Sequence, residues 1–486
     1  METLELKECI ETDFIDKVVE VVSKPFKKKS MDIVNLLPPK IVNHIFSYCK
    51  PTDLLTMSLI NRKWYRFIGK SPSCMDRIKI VISEPRIGCF QLLTNLDAII
   101  LTQHGRNYKH IQLTSLERQF LFQHKLLLAT FQWETVSLNN HTFRNKIDFV
   151  NFLGMIEPFV ETLTLRGVKI AKTNYQISPT NFQFPLLEKL NLINCSTYVY
   201  SEPFKYVTTL KCLNIQTDAF PTHQAHVGDE LTERVKALQT ILLNNVYIYY
   251  LELFIHQKDF DAMFMDQRFL NRIRFNLQWL SVGKFKQKDN EDINVVQINN
   301  FVDFLKSQMH SLSILYLDNW LGNATLEYAI NDMQLTNFTI ANIEPLGMHD
   351  ESIANLNLFS NDTIENLTLW SSSRHQAVAE EIVKVCRVLR VLETRTINQS
   401  MLEALIENNE DIQIIICDFF SAYLPPHREV MRNLRMMKIN IACDSDVFRD
   451  IIGIKNFYTN FEMIFLRAAK DLRRRCALNG VNFFRY

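Results

Sequence analysis

Leu187-Glu188-Lys189-Leu190-Asn191-Leu192 carries an apolar residue at its first, fourth and sixth places. Leu190 and Leu192 are two apart, so on an extended chain they share one face while Asn191 points to the other. The spacing returns as Leu210-x-x-Leu213-x-Ile215, Leu238-x-x-Ile241-x-Leu243, Leu312-x-x-Leu315-x-Leu317, Leu335-x-x-Phe338-x-Ile340 and Ile364-x-x-Leu367-x-Leu369. Later copies are Leu389-x-x-Leu392, Ile412-x-x-Ile415 and Leu434-x-x-Met437-x-Ile439; earlier ones are Trp133-x-x-Val136-x-Leu138 and Val160-x-x-Leu163-x-Leu165.

The middle positions run 136, 163, 190, 213 and 241, with steps of 27, 27, 23 and 28. They resume at 315, 338, 367, 392, 415 and 437, with steps of 23, 29, 25, 23 and 22. This period and pattern resemble leucine-rich repeats. One strand and one helix cannot bury such a face alone, whereas stacked neighbours can. Helical spacing fills the gaps: Ile298, Phe301, Val302, Leu305 and Met309; Ile147, Phe149, Val150, Leu153 and Ile156; and Met401, Leu402, Leu405 and Ile406 before the Ile412 strand. The expected fold class is therefore α/β, a solenoid over 78–486 with a curved parallel sheet and outer helices.

Two features depart from a regular array. The asparagine or cysteine three residues past the last strand leucine is met by Cys195, but elsewhere the place holds Val168, Val246, Trp320 or Ile343. Those units are expected to bury an apolar side chain there in place of a hydrogen-bonded ladder. The polar stretch Lys284–Asp292 is expected to protrude as a solvated loop. At the far end Phe461, Ile464, Phe465 and Ala468 make a helical stripe suited to capping the array, with Arg473, Arg474 and Arg475 in its last turn.

A second signal lies upstream. Leu37-Pro38-Pro39-Lys40-Ile41-Val42 leads to Ile45-Phe46-Ser47-Tyr48, then Asp53-Leu54-Leu55, then Asn61-Arg62-Lys63-Trp64. Prolines suit a helix start, and Ile41, Val42, Ile45 and Phe46 make one apolar face. Lys50-Pro51 is expected to end that helix. Thr52 or Asp53 can cap a second helix with Leu54, Leu55 and Leu59, and Asn61 a third with Trp64, Phe67 and Ile68 inward. Residues 31–77 resemble an F-box, the module that binds the Skp-type adaptor of cullin–RING ubiquitin ligases. Lys40 stands where that family has an acid and Cys49 where it has leucine. Lys40 is expected to be exposed, and cysteine is a small hydrophobe.

Residues 1–30 read as a polar leader in which Val18, Val19 and Val22 form a modest apolar stripe. Lys24, Lys27, Lys28 and Lys29 read as a solvated linker, with a weak nuclear-import signal as the other reading. Composition is globular: 47% hydrophobic and 22% charged residues, net charge +1. No global field steers such a chain to nucleic acid or membrane. Glycine is scarce, 11 in 486 residues, which argues against phosphate-cradling loops. The 10 cysteines lack metal-ligand spacing. The acidic Met1–Glu5 start and the lack of long apolar runs lead to the expectation of an intracellular, cytoplasmic and/or nuclear protein.

No nucleophile, dinucleotide or zinc-protease motif occurs. His223 and His226 lack a third ligand, so no catalytic residue, metal or cofactor is expected. The resemblance implies a non-catalytic substrate receptor that raises the effective concentration of a substrate lysine near the ubiquitin-loaded enzyme. The other reading is an adaptor or scaffold acting outside an active ligase. By position in the F-box pattern, Leu37, Pro38, Ile41, Ile45, Leu54, Leu55 and Trp64 are the expected contacts to the Skp-type adaptor, and through it a cullin. Strand residues alternating with the buried ones are the candidates for an unidentified protein substrate: Arg274, Tyr316, Asp318, Thr368, Trp370, Glu393, Arg395, Asp418 and Lys438.

Overall fold

The computed structural model describes residues 4–5, 33–83, 106–114, 125–171, 182–201, 203–217, 227–264, 266–285, 295–318, 323–343, 356–371, 376–422, 433–443 and 463–466. The chain forms two compact units: Met1–Asp218 with Thr222–Tyr247, and Ala219–Pro221 with Ile248–Tyr486.

In the first unit, β1 (Leu4–Glu5) precedes five N-terminal helices, α1 (Ile33–Leu36), α2 (Pro39–Ser47), α3 (Pro51–Ser58), α4 (Arg62–Lys70) and α5 (Pro72–Met75). Strands come next: β2 (Lys79–Ser83), β3 (His110–Thr114), β4 (Thr135–Asn139), β5 (Thr142–Phe143), β6 (Thr162–Arg166), β7 (Lys169–Ile170), β8 (Lys189–Ile193) and β9 (Cys212–Gln216). Strands β1, β2, β3, β4, β6, β8 and β9 pair in parallel in that order. The short β5 and β7 make a separate parallel pair. Register places Ile80, Ile111, Val136, Leu163, Leu190 and Leu213 side by side on successive strands.

The second unit holds β10 (Tyr250–His256), β11 (Trp279–Phe285), β12 (Ile314–Asp318), β13 (Asn337–Ile343), β14 (Asn366–Ser371), β15 (Val391–Ile397), β16 (Ile414–Phe420), β17 (Met436–Cys443) and β18 (Met463–Leu466). Each pairs in parallel with the next. The aligned middle residues are Leu251, Leu280, Leu315, Phe338, Leu367, Leu392, Ile415, Met437 and Ile464. Leu163, Leu190, Leu213, Ile241, Leu315, Leu367 and Ile415 are all fully buried, each contributing roughly 1.5–3 kcal/mol.

Register is fixed at the strand entrances, where one carbonyl accepts two N–H groups from the next repeat. Glu134 O takes Glu161 N (2.8 Å) and Thr162 N (2.9 Å), and Glu161 O takes Glu188 N (2.8 Å) and Lys189 N (3.0 Å). In the second unit Gln278 O, Ser313 O, Thr336 O, Glu365 O, Arg390 O and Gln413 O repeat the arrangement. At the strand exits of the first unit, Asn140, Gly167 and Asn194 take positive φ of 54°, 62° and 54°, a region open to asparagine and glycine. Gly167 has a second reason to be glycine: a Cβ there would sit 2.5 Å from Asn140 Oδ1.

Several sequence expectations need correction. Ile241 lies in the helix Val227–Asn244, not on a strand; Leu238, Ile241 and Leu242 fit the helical period as well. The strands actually present are β10 and β11, carried by Ile248-x-x-Leu251-x-Leu253 and Leu277-x-x-Leu280-x-Val282. Strands β2 and β3 were not expected either. Ile464 belongs to strand β18, not to a capping helix, and Arg473–Arg475 lie outside the described residues. Ile147 is exposed, whereas Phe149, Leu153 and Ile156 face inward. The leader, apart from β1, lies outside the described residues; so do His223, His226 and the stretch 286–292, while Lys284 and Phe285 continue β11.

The missing asparagine ladder has a substitute that the pattern did not reveal. Buried amides at helix ends accept from the first apolar residue of a repeat: Leu210 N to Asn245 Oδ1, Leu277 N to Gln308 Oε1 and Leu389 N to Asn409 Oδ1, each 2.9 Å. Asn361 accepts from Ile364 N at 2.9 Å and donates to Ile330 O at 2.7 Å. Val168 is buried as expected, but Val246 is exposed, because the unit before it is a helix and not a strand; the Cys195 thiol donates to Leu165 O at 3.3 Å. Burial raises that thiol to about 12.

Candidate functional site

Helices α2, α3 and α4 close around Val42, Phe46, Leu54, Ile68 and Cys74, with Val34, Cys49, Met57, Trp64 and Phe67 packed against them. The Phe46 ring centroid lies 5.4 Å from Trp64 and 5.8 Å from Phe67. Proline opens both α2 and α3; the cap of α3 is Lys50, which makes no side-chain cap bond, so the expected Thr52 or Asp53 cap is replaced by Pro51 at the first turn. Asn61 does cap α4, its Oδ1 accepting from Lys63 N at 2.8 Å and Trp64 N at 3.0 Å.

Two arginines, one ahead of β2 and one ahead of β3, fasten this small bundle. Arg77 donates to Phe46 O and Ser47 O, both at 2.9 Å, and to Cys49 O. It thereby binds three carbonyls around the end of α2, one of which, Phe46 O, also accepts from Cys49 N. Arg106, buried ahead of β3, donates to Ser58 Oγ at 2.6 Å and Tyr108 Oη at 3.2 Å. Its guanidinium also stacks 4.4 Å from the Tyr65 ring centroid.

The seven expected adaptor contacts separate by direction. Leu37, Pro38, Ile41 and Ile45 are exposed, Leu55 is half-buried, and Trp64 is half-buried on the Phe46 side. Leu54, with 0% exposure, is a core residue and no contact surface. The single apolar face expected on α2 is two faces: Val42 and Phe46 inward, Ile41 and Ile45 outward. Tyr48, 78% exposed, extends the outward stripe three residues past Ile45. Leu36, Leu59 and Ile60 are also exposed. Sequence reasoning missed these four, although apolar neighbours such as Leu59 and Ile60 at a helix end cannot both face inward. Lys40 is exposed as expected.

The second candidate surface is the sheet face of the second unit. Burial alternates along β12 and β14: Tyr316 and Thr368 stand half-buried between buried neighbours, and Asp318 and Trp370 are half-buried after the buried Leu317 and Leu369. Glu393, Asp418 and Lys438 are half-buried on the same face, and Arg395 is exposed. Trp370, on the face that alternates with the buried residues, is half-buried. Arg274 precedes β11 and lies off the strand. Rings missed in the sequence share the face: Tyr250 lies 5.2 Å from Trp279, and Phe254 lies 5.9 Å from Tyr316, centroid to centroid. Tyr250 Oη donates to Glu252 Oε2 at 3.1 Å. Burial, then the nearby Asp318 and Glu252 carboxylates, raise the Tyr316 phenol. Burial also raises the Glu393 carboxyl, with Lys438 opposing and Asp418 adding to the shift.

Among the described residues no cluster of histidine, cysteine, aspartate and glutamate could hold a metal ion, and no helix is long and apolar enough to cross a membrane. The family model of the F-box domain matches residues 34–75. No curated protein matches the chain.

Proposed function

We propose that this protein is the substrate-recognition subunit of a Skp–cullin–F-box type ubiquitin ligase. The F-box binds the Skp-type adaptor, and through it a cullin; the repeats, which we infer to be degenerate leucine-rich repeats, bind a protein substrate. On this reading the chain contributes binding and no bond chemistry, and it works in the cytoplasm and/or nucleus. The supporting observation is the outward apolar stripe Leu37, Ile41, Ile45 and Tyr48, with Leu36, Leu59 and Ile60 also exposed on the same small bundle. A contiguous apolar stripe on so small a bundle fits a permanent partner.

The test is co-purification of the tagged full chain with the Skp-type adaptor and the cullin, beside a chain in which Ile41 and Ile45 are both changed to Asp. Adaptor and cullin are expected with the first and absent from the second. Adaptor without cullin rejects the ligase assignment; equal adaptor recovery from both chains rejects the interface.

A further inference from the structure

In the first unit, the sheet face that alternates with the buried leucines is neutral or positive. On strands β3 to β9 its positions hold amides, hydroxyls, His110, Cys212, Ile193 and two exposed cations, Arg166 and Lys189, and no aspartate or glutamate. Neither cation has an ion-pair partner among the described residues. The acids nearest in sequence, Glu134, Glu161 and Glu188, precede the strands. Glu134 is held by Lys109 Nζ at 2.8 Å and Glu188 by Lys211 Nζ at 2.5 Å. The segments that leave β4, β6 and β8, residues 140–145, 167–171 and 194–201, carry no acidic residue. They add cations instead: Lys169 is exposed on β7, in register with Thr142 on β5, and the exposed Arg144 follows β5. The first acid beyond them is Asp148, in the first turn of the helix Lys146–Ile156.

Lys189 and Arg166 stand at opposite ends of adjacent strands, Lys189 in register with Thr162 and Arg166 with Ile193. Between them Asn191 Nδ2 donates to Thr164 Oγ1 at 2.9 Å. Both residues are half-buried. Their bond leaves the Asn191 carbonyl as an acceptor and the Thr164 hydroxyl proton as a donor, the two groups that a peptide main chain can use. The unpaired cations call for carboxylates, and complementary charge of this kind sets specificity and steers encounter. A nucleic acid fits less well: it carries a phosphate at every step and would set most of them against neutral side chains.

We propose that the sheet face of the first unit takes an extended acidic segment of the protein that the repeats bind, with carboxylates at Lys189 and Arg166 and its main chain on the Asn191–Thr164 pair. This rests on the substrate-receptor reading and names the chemistry that the receptor recognises. The two cations start roughly 14 Å apart by strand geometry, about the reach of four residues of extended chain, so the carboxylates belong four positions apart.

The test uses the full chain in complex with its adaptor and reads fluorescence anisotropy of a labelled, capped peptide, Ser-Glu-Ser-Val-Ser-Glu-Ser. The comparison probes are the same peptide with both glutamates replaced by glutamine, and an oligothymidylate. The glutamate peptide is expected to bind saturably, and the glutamine peptide about tenfold more weakly. Arg166→Gln and Lys189→Gln are each expected to weaken the glutamate peptide about threefold, and the double variant about tenfold. Arg395→Gln, an exposed cation on the second unit, is expected to leave its affinity unchanged. All of these substitutions are at exposed positions, and unaltered circular dichroism melts show that the variants are folded. The proposal is overturned by no binding, by equal binding of the two peptides, by an unchanged affinity in the double variant, by an equal loss in Arg395→Gln, or by tighter binding of the oligothymidylate. Adaptor retention in the same samples reads the F-box assignment separately.

Discussion

The ring of Phe254 occupies the space over Gly283 that a Cβ would need. The two residues are register partners on β10 and β11, and from that position the ring reaches Tyr316 on the strand beyond. Glycine is required here by room, so an aromatic side chain can lie across the sheet face instead of standing up from it.

Gly283→Ala should therefore displace the Phe254 ring and destabilise the second unit by about 1–3 kcal/mol. Gly154→Ala is the contrast. Gly154 is exposed within the helix Lys146–Ile156, and an added methyl meets only Phe182 Cε1, at 3.9 Å. That change should stabilise by about 0.5–1 kcal/mol. Denaturant melts of the two variants should shift in opposite directions; a common direction would discredit the packing assigned to Phe254.

Adaptor binding and folding should be separable on α2. Ile41→Asp and Ile45→Asp place charge on exposed positions, and each should abolish adaptor recovery while leaving the circular dichroism melt within about 0.5 kcal/mol of wild type. Phe46→Ala empties a site in the bundle core and should lose about 3–5 kcal/mol of stability together with adaptor binding. A fold-neutral Phe46→Ala would mean that the bundle core is misassigned.

Arg77→Met removes the donors to three carbonyls at the end of α2. The expected loss is about 1–3 kcal/mol of local stability. Hydrogen exchange should accelerate at Tyr48 and Cys49, whose N–H groups bond within that last turn, while strands β6 and β8 keep their protection. Uniform acceleration across the first unit would show instead that Arg77 holds the bundle to the sheet.

Glu393 supplies a pH test. Its folded-state carboxyl is raised above the ordinary value, mainly by burial, so the folded chain holds the proton more tightly than the unfolded one. Stability should fall as pH rises from the ordinary carboxylate range through the raised value, and stay at the lower level above it. Glu393→Gln should remove that slope and match or exceed wild-type stability at neutral pH. Melts of both chains from pH 4 upward, on the order of one unit apart, decide it; a wild-type-minus-variant difference that rises with pH excludes a burial-raised Glu393.

Much of the sheet was legible because a strand needs only a period of two to reveal its buried face: Leu163, Leu190 and Leu367 were placed correctly by spacing alone. The same pattern misled at Leu238-x-x-Ile241, where residues three apart satisfy a helix equally well, and at Ile464, where a strand was read as a helical stripe. Tertiary partners decide such cases, and they are not visible locally. The amides Asn245, Gln308 and Asn409 were invisible for another reason: they occupy no fixed offset from the strand whose N–H they satisfy. On α2, helical spacing identified an apolar helix but could not divide Ile41 and Ile45 from Val42 and Phe46, because both pairs repeat every fourth residue.

The doubly accepting carbonyls ahead of each strand have a consequence for how this chain tolerates change. Because Glu134, Glu161 and their counterparts each position two successive amides of the next repeat, a residue gained or lost between such a carbonyl and its strand would turn that strand over and expose its leucines. The connecting segments already differ in length: the spacing between aligned leucines varies from 23 residues between Leu190 and Leu213 to 35 between Leu280 and Leu315. Insertions and deletions should therefore accumulate in the return segments, so that descendants of this chain can differ widely in their outer loops while every row of the sheet keeps its neighbours.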